Sequence, residues 1–327
     1  MSLRPAFGFI AAIWLFAASV VAYAQAAKTH HIGLLSPASA SAMASRLEAF
    51  RQGLAELGYH EGKNLTVEYR WAEGKEDQLP VHAAELARLK VAIVLVHGVQ
   101  AAQVARKASD AIPIVCFTCG DVLGTGLVDN LARPGGLLTG MTSINPETGA
   151  KRLELLKEVV PGLTQVTLLW NSRNLVSIPE VKELEAAGRA LRVKIQSLGI
   201  SNGGELANAF AAMKRERSQG LVIVSDATFF GLRREIAVLA KSNAIPAIAW
   251  DSELANEGLL MGYGADAPAL TRRAAYFVDR ILKGAKPGDL PMEQPTKFEL
   301  VVNLATARAL KLTVPQSVLL RADRVVR

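Results

Sequence analysis

The chain has 327 residues, half of them hydrophobic and a fifth charged, with a formal net charge of +7. This is ordinary globular chemistry, long enough for two domains and with no segment polar enough to be disordered. The basic excess is spread thinly: its densest groups, Lys214-Arg215-Glu216-Arg217 and Arg272-Arg273, are short and stand on predicted helices, so they read as solvated helix faces and not as a nucleic-acid surface.

Arg4, the apolar run Phe7–Val21 and the small-residue site Ala22-Tyr23-Ala24 together read as a secretory signal peptide over residues 1–24. An uncleaved anchor is the alternative, because the run approaches spanning length, but the small residues at its end favour cleavage. No cysteine lies near the cut to carry a lipid anchor. The expectation is a monomer that diffuses freely in the periplasm. His30-His31 has no metal-ligand spacing.

His31–Ser36 is a short apolar strand ended by Ser36-Pro37. Ala44, Leu47, Phe50, Leu54 and Leu57 follow at helical spacing, and Gly58 stops that helix. Leu65–Tyr69 alternates as a strand, Leu79–Leu89 reads as a helix, and Val91–Val96 is a wholly apolar strand ending at His97-Gly98. A helix over Gln100–Ser109 and a strand over Ile112–Thr118 complete the run. Near-continuous apolar strands alternating with amphipathic helices predict a parallel sheet covered on both faces.

The pattern then repeats: helix Glu147–Val160, strand Val166–Trp170, helix Pro179–Leu191, strand Val193–Leu198, helix Glu205–Arg217, strand Leu221–Val224, helix Phe229–Ser242 and strand Ile245–Ala249. Ile32 and Val166 stand 134 residues apart, Pro113 and Pro246 133 apart, and Gly136-Leu137-Leu138-Thr139-Gly140 is echoed by Gly258-Leu259-Leu260-Met261-Gly262. A period this long describes two similar lobes and not a solenoid. After them come an amphipathic helix through Leu270, Ala274, Phe277, Val278 and Ile281, a proline-punctuated linker over Lys286–Pro295, a strand over Phe298–Asn303, a helix over Leu304–Leu310 and a surface segment from Pro315.

Cys116 and Cys119 are the only cysteines. In an extended strand their Cα atoms would be about 10 Å apart and their side chains on opposite faces, which predicts two reduced thiols. They open the glycine-rich stretch Cys116–Gly140, which leaves the end of a buried strand.

Within that stretch, Gly120-Asp121-Val122-Leu123-Gly124-Thr125-Gly126-Leu127-Val128 and Leu131-Ala132-Arg133-Pro134-Gly135-Gly136 resemble the signature of the ABC-importer substrate-binding family that includes tryptophan/tyrosine-type binding proteins. Ile281-Leu282-Lys283-Gly284-Ala285-Lys286-Pro287 and Leu290–Leu304 carry a second match, and the resemblance covers essentially all of the chain after the leader. The family usually has Pro where Val122 stands. The resemblance implies an α/β fold of two Rossmann-like lobes with parallel sheets, joined by a three-strand hinge at crossings near Gly140, Gly258 and Pro295: the type I periplasmic binding protein. Lobe 1 would then be residues 28–141 plus 256–294, and lobe 2 residues 142–255 plus 295–327. It also implies delivery of a small solute, an amino acid and by association an aromatic one, to an ABC permease in the inner membrane.

Two lobes facing each other by their strand ends make a cleft that closes by hinge motion on a small ligand. The candidates are polar residues at those ends: Ser36, His97, Gly120 and Asp121 in the first half, Asn171, Ser172, Asp226, Thr228, Trp250 and Asp251 in the second, and Tyr263 beside a crossing. Asp226 either pairs with a ligand ammonium or caps the next helix. Backbone amides of Gly120–Gly126 and a following helix would hold a carboxylate. Trp250 stacks on a ligand or packs in the core. His97 donates to a ligand or closes a turn.

Enzyme signatures are poor. Asp129 stands where the dinucleotide fingerprint after Gly124-x-Gly126 needs glycine or alanine, and the P-loop, H-E-x-x-H and G-x-S-x-G motifs do not occur. No cofactor and no metal are expected. Two rivals stay open: an exported hydrolase-like enzyme, with Ser36, His97 and Asp121 as its triad, and a ligand sensor docking a membrane receptor.

Overall fold

The computed structural model describes residues 29–143 and 147–327. The expected signal peptide lies outside the described residues. The first half runs β1 (His30–Ser36), α1 (Ala44–Glu56), β2 (Leu65–Trp71), α2 (Leu79–Arg88), β3 (Val94–His97), α3 (Val99–Ala108), β4 (Ile114–Cys119) and β5 (Leu138–Thr142). The second runs α4 (Glu147–Val159), β6 (Gln165–Asn171), α5 (Ile178–Leu191), β7 (Lys194–Ile200), α6 (Leu206–Arg215), β8 (Leu221–Ile223), α7 (Ala227–Gly231), α8 (Arg233–Ser242), β9 (Ala247–Ala249), α9 (Ser252–Asn256) and β10 (Met261–Ala265). The tail adds α10 (Ala267–Leu282), β11 (Met292–Glu293), β12 (Phe298–Asn303), α11 (Leu304–Ala309), α12 (Gln316–Leu319) and β13 (Arg324–Val326).

These strands form two sheets of one design. The first has the order β2-β1-β3-β4-β5-β11 and is parallel throughout. The second has the order β7-β6-β8-β9-β10-β12-β13, parallel except for the antiparallel pair β10–β12. Buried strands such as β3 and β8 are apolar because helices cover both faces. In the first sheet Phe50 of α1 and Phe277 of α10 pack with Phe117 on one side, while Leu86 of α2 and Ala102 of α3 pack with Val96 on the other. In the second, Leu156 of α4 and Leu184 of α5 cover Val222, and Phe210 of α6 and Ile236 of α8 cover Ile223.

Three expectations change. Cys116 and Cys119 are joined in a disulfide, with Cα atoms 5.7 Å apart. The extended-strand premise fails because β4 bulges: Cys116 pairs with Gly140 and Cys119 with Thr142, three residues of β4 against two of β5. A bulge resets the alternation of side chains. Both cysteines therefore turn to the α2–α3 face, while Val115 and Phe117 keep to the other.

Next, β10 belongs to the second sheet, paired with β9 and β12, so residues 261–265 do not sit with the first sheet as a crossing near Gly258 required. The chain passes between sheets after β5, between β10 and α10, and between β11 and β12. Finally, the segment from Pro315 is more than surface: Val318 is fully buried, and β13 adds an edge strand beside β12.

Candidate functional site

In each sheet the strand order reverses at one point, between β1 and β3 and between β6 and β8. Helices leave such a point toward opposite faces, and a crevice opens at the strands' carboxyl ends. Ser36 and His97 end β1 and β3; Asn171 ends β6, and Asp226 follows β8. The two crevices face each other and enclose a cleft of about 390 Å³ lined from both sheets.

Six of the sequence candidates line this cleft: His97, Gly120, Asp121, Asp226, Trp250 and Asp251. Three others stand behind it. The Ser36 hydroxyl meets His97 Nδ1 at 3.2 Å, and Asn171 and Thr228 both donate to Glu76. Two are elsewhere. Ser172 is engaged through its backbone N–H to the Ile200 carbonyl, and Tyr263 packs against the core of the second sheet. The Gly120–Gly126 loop is a turn, tied by Gly124 N–H donating to Asp121 Oδ1 at 2.7 Å, and no helix follows it before β5. The helix N-terminus expected there to hold a carboxylate is therefore missing.

One wall is organised by Arg46, which is 2% exposed. It reaches from α1 to the start of α9, pairing with Asp251 and, through Nε at 3.1 Å, with Glu253. Its guanidinium lies 3.6 Å from the centre of the Phe230 ring. Arg46 Nη1 stands 3.2 Å from His97 Nε2. A guanidinium only donates, so His97 Nε2 accepts and its Nδ1–H donates to Ser36. Ser36 Oγ also accepts from the Ala38 N–H at 3.1 Å. Burial, reinforced by the Arg46 charge, holds His97 well below the usual imidazole range, so it is neutral. Burial pushes the Asp251 carboxyl up to about 6, against the opposing pull of Arg46.

The facing wall centres on Asp226. Its Oδ1 caps α7, accepting from the N–H groups of Thr228 and Phe229 at 2.8 and 3.0 Å. Its Oδ2 accepts from Gln100 at 3.0 Å, Asn174 at 2.9 Å and Asn171 at 3.2 Å. The capping alternative is thus what the fold uses, and Gln100 makes Asp226 a fastener across the cleft. Glu76, on a short turn after β2, completes the seam to Asn171 and Thr228; burial raises its pKa, and the nearby Asp226 charge raises it further. Arg152 of α4 pairs with Glu180 of α5, whose pKa burial raises.

Sequence reasoning did not single out Arg46, Gln100, Arg152, Asn174, Ser177, Glu180 or Phe230, all of which line the cleft. A signal existed for the arginines. Arg46 lies on the apolar stripe of Phe50, Gly53 and Leu54, and Arg152 on that of Leu156 and Val159. A guanidinium on a core-facing stripe must find a partner there. Asn174 and Ser177 had none, being loop polars like many others. Among the described residues no group of three His, Cys, Asp or Glu is placed to hold a metal ion, and no helix is long and apolar enough to cross a membrane.

Comparison with known proteins agrees with this architecture. The family model described as ABC transporter substrate binding protein matches residues 31–326. A tyrosine-binding protein of Clostridioides difficile is 24% identical over 286 residues, covering 86% of this chain and 81% of its own length. A Streptococcus pneumonia ABC domain solved in complex with L-Trp superposes with a TM-score of 0.84 at 24% identity, covering 91% of this chain and 100% of that one. An open, ligand-free substrate-binding protein with adhesive properties from Clostridium difficile superposes at 0.63, with 22% identity and 91% and 99% coverage. The structural likenesses show the shared two-lobed fold, and the family match extends over nearly every described residue. The chain belongs to the ABC transporter substrate-binding protein family.

Proposed function

We propose that this protein is the exported, periplasmic solute-binding component of an ABC importer. It traps an amino acid, preferentially an aromatic one, between its lobes and hands it to a membrane permease. The observation that carries this reading is the cleft itself: two switch-point crevices face each other, with apolar surfaces from Trp250, Phe230 and Leu270 beside buried charges. Relatives named for tyrosine binding and solved with L-Trp support the aromatic choice. The hinge would be the three chain passages between sheets, with residues 29–142 plus 267–294 as one lobe and 147–265 plus 298–327 as the other. The protein acts as a monomer and leaves its solute chemically unchanged.

Native mass spectrometry of the purified mature protein, followed by thermal-shift titration with the twenty amino acids and a sugar panel, tests this. The expected result is one bound aromatic amino acid and a saturable rise in Tm. Product formed from the bound solute, or a response to sugars alone, would overturn it.

A further inference from the structure

The cleft wall built by α4 and the loop after β6 holds three polar atoms with no hydrogen-bond partner: Arg152 Nε, Asn174 Oδ1 and Ser177 Oγ. All three residues line the cleft, and they are 2%, 7% and 4% exposed. Buried polar atoms are rarely left unpaired, because each costs its full desolvation. Three on one wall of a ligand cleft mark a subsite.

Their chemistry is fixed by what surrounds them. The Arg152 guanidinium is clamped through Nη2 to Glu180 and reaches Thr148 Oγ1 from Nη1 at 3.4 Å, leaving Nε–H as the open donor. The Asn174 amide has one sensible orientation, because its Nδ2 faces the Asp226 carboxylate at 2.9 Å and must donate; Oδ1 is therefore the open acceptor. Ser177 adds a hydroxyl that serves either role. Arg46, the other arginine on the cleft, is turned to Asp251, Glu253 and His97. The lining also carries five carboxylates, Asp121, Glu180, Glu183, Asp226 and Asp251, against those two arginines, so an added anion needs the Arg152 corner and an added cation is welcome elsewhere.

We propose that Arg152, Asn174 and Ser177 form the head-group subsite of the cleft: Arg152 Nε–H and Ser177 Oγ–H receive the solute's carboxylate, and Asn174 Oδ1 receives its ammonium. Glu180 is a positioning residue that keeps Arg152 aimed. This inference rests on the solute-capture reading above and assigns its specificity to one wall.

The test is isothermal titration of the mature protein and its S177A and R152K variants with L-tryptophan, tryptamine (no carboxylate) and indole-3-propionate (no ammonium). The wild type should bind L-tryptophan at least about tenfold more tightly than either analogue. S177A and R152K should each weaken L-tryptophan about tenfold while leaving tryptamine unchanged, since the lost donor has no carboxylate to meet. S177A should also melt no lower than the wild type without ligand, because it removes an unpaired buried hydroxyl; a merely structural serine would lower Tm. Variants that bind L-tryptophan like the wild type, or weaken L-tryptophan and tryptamine equally, would overturn the subsite and leave solute capture standing. A wild type that ignores all three indoles yet co-purifies with a sugar would overturn both.

Discussion

At Arg46 a single side chain joins the two lobes, and its cost and value are set by burial. Replacing it with Met leaves Asp251 buried without its cation and strips the half-buried Glu253 of one partner, which typically destabilises by about 3–5 kcal/mol. Urea denaturation of R46M at pH 7 checks this, and part of the loss should return at pH 5, where Asp251 takes up a proton. The sign for Asp251 follows from its pKa being raised from 3.8 to about 6. The folded state then holds the proton more tightly than the unfolded chain. Its contribution is fully present below about pH 4 and is lost as pH rises through 6, on the order of 3 kcal/mol over that window. Glu158, lowered by Ser317 and Arg321, contributes in the opposite sense, so the wild-type profile alone is not diagnostic. Subtracting the D251N profile isolates the term: the wild type should gain stability relative to D251N as pH falls from 7 to 4. Parallel profiles would show that Asp251 binds its proton no more tightly in the folded protein than in the unfolded chain. Why were these residues illegible? Ser36, His97 and Asp226 announce themselves at strand ends. Arg46 sits in the first turn of α1, where a charge usually means solvent, and only its register with Phe50 and Leu54 says otherwise.

At the level of elements, apolar runs such as Val94–His97 and the 3.6-residue stripe of α10 were readable because burial on both faces leaves no other composition available. Two elements escaped for opposite reasons. Strand β10, Met-Gly-Tyr-Gly-Ala, has no alternation and two glycines, yet the Gly258–Gly262 echo of Gly136–Gly140 already placed it: β5 and β10 hold the same fifth position in their sheets. The repeat was the better guide than the expected hinge crossing. The β4 bulge, by contrast, is a matter of pairing with β3 and β5 and leaves no local trace, so the cysteine spacing misled. The disulfide predicts that mature protein, denatured without reductant, shows no thiol reactive toward a chromogenic disulfide. A link closing so short a loop contributes roughly 2 kcal/mol in the chain-entropy picture. The C116S/C119S double variant should lose about that much in urea denaturation, and a variant as stable as the wild type would show that the bulge is held by packing alone.

Across the whole molecule, the same strand order appears twice and the two crevices meet, so the proposed capture depends on how far apart the lobes stand. Arg46 to Asp251, Gln100 to Asp226 and Glu76 to Thr228 all fasten one lobe to the other. A solute that contacts both walls adds to these fasteners only in the closed form, which is how binding favours closure. Gly98 marks a close approach of the two lobes' backbones. It has φ +86, and a Cβ there would lie 2.7 Å from the Cβ of Ala227 on the other lobe. G98A should therefore prop the cleft ajar. It also carries the strain of an alanine at φ 86 and ψ 160, a region essentially only glycine adopts, on the order of 1–3 kcal/mol, which by itself would say nothing about closure. Gly58 supplies the control, with φ +88 and nothing within 4 Å of its Cβ position. Both variants should lose stability, G98A at least as much as G58A, but only G98A should show a larger radius of gyration by small-angle scattering. Only G98A should weaken L-tryptophan, by about tenfold if the closed form falls to a tenth of the population. Scattering curves for G98A and G58A that overlay would mean the lobes do not need this contact to close, and the cleft would have to be treated as rigid.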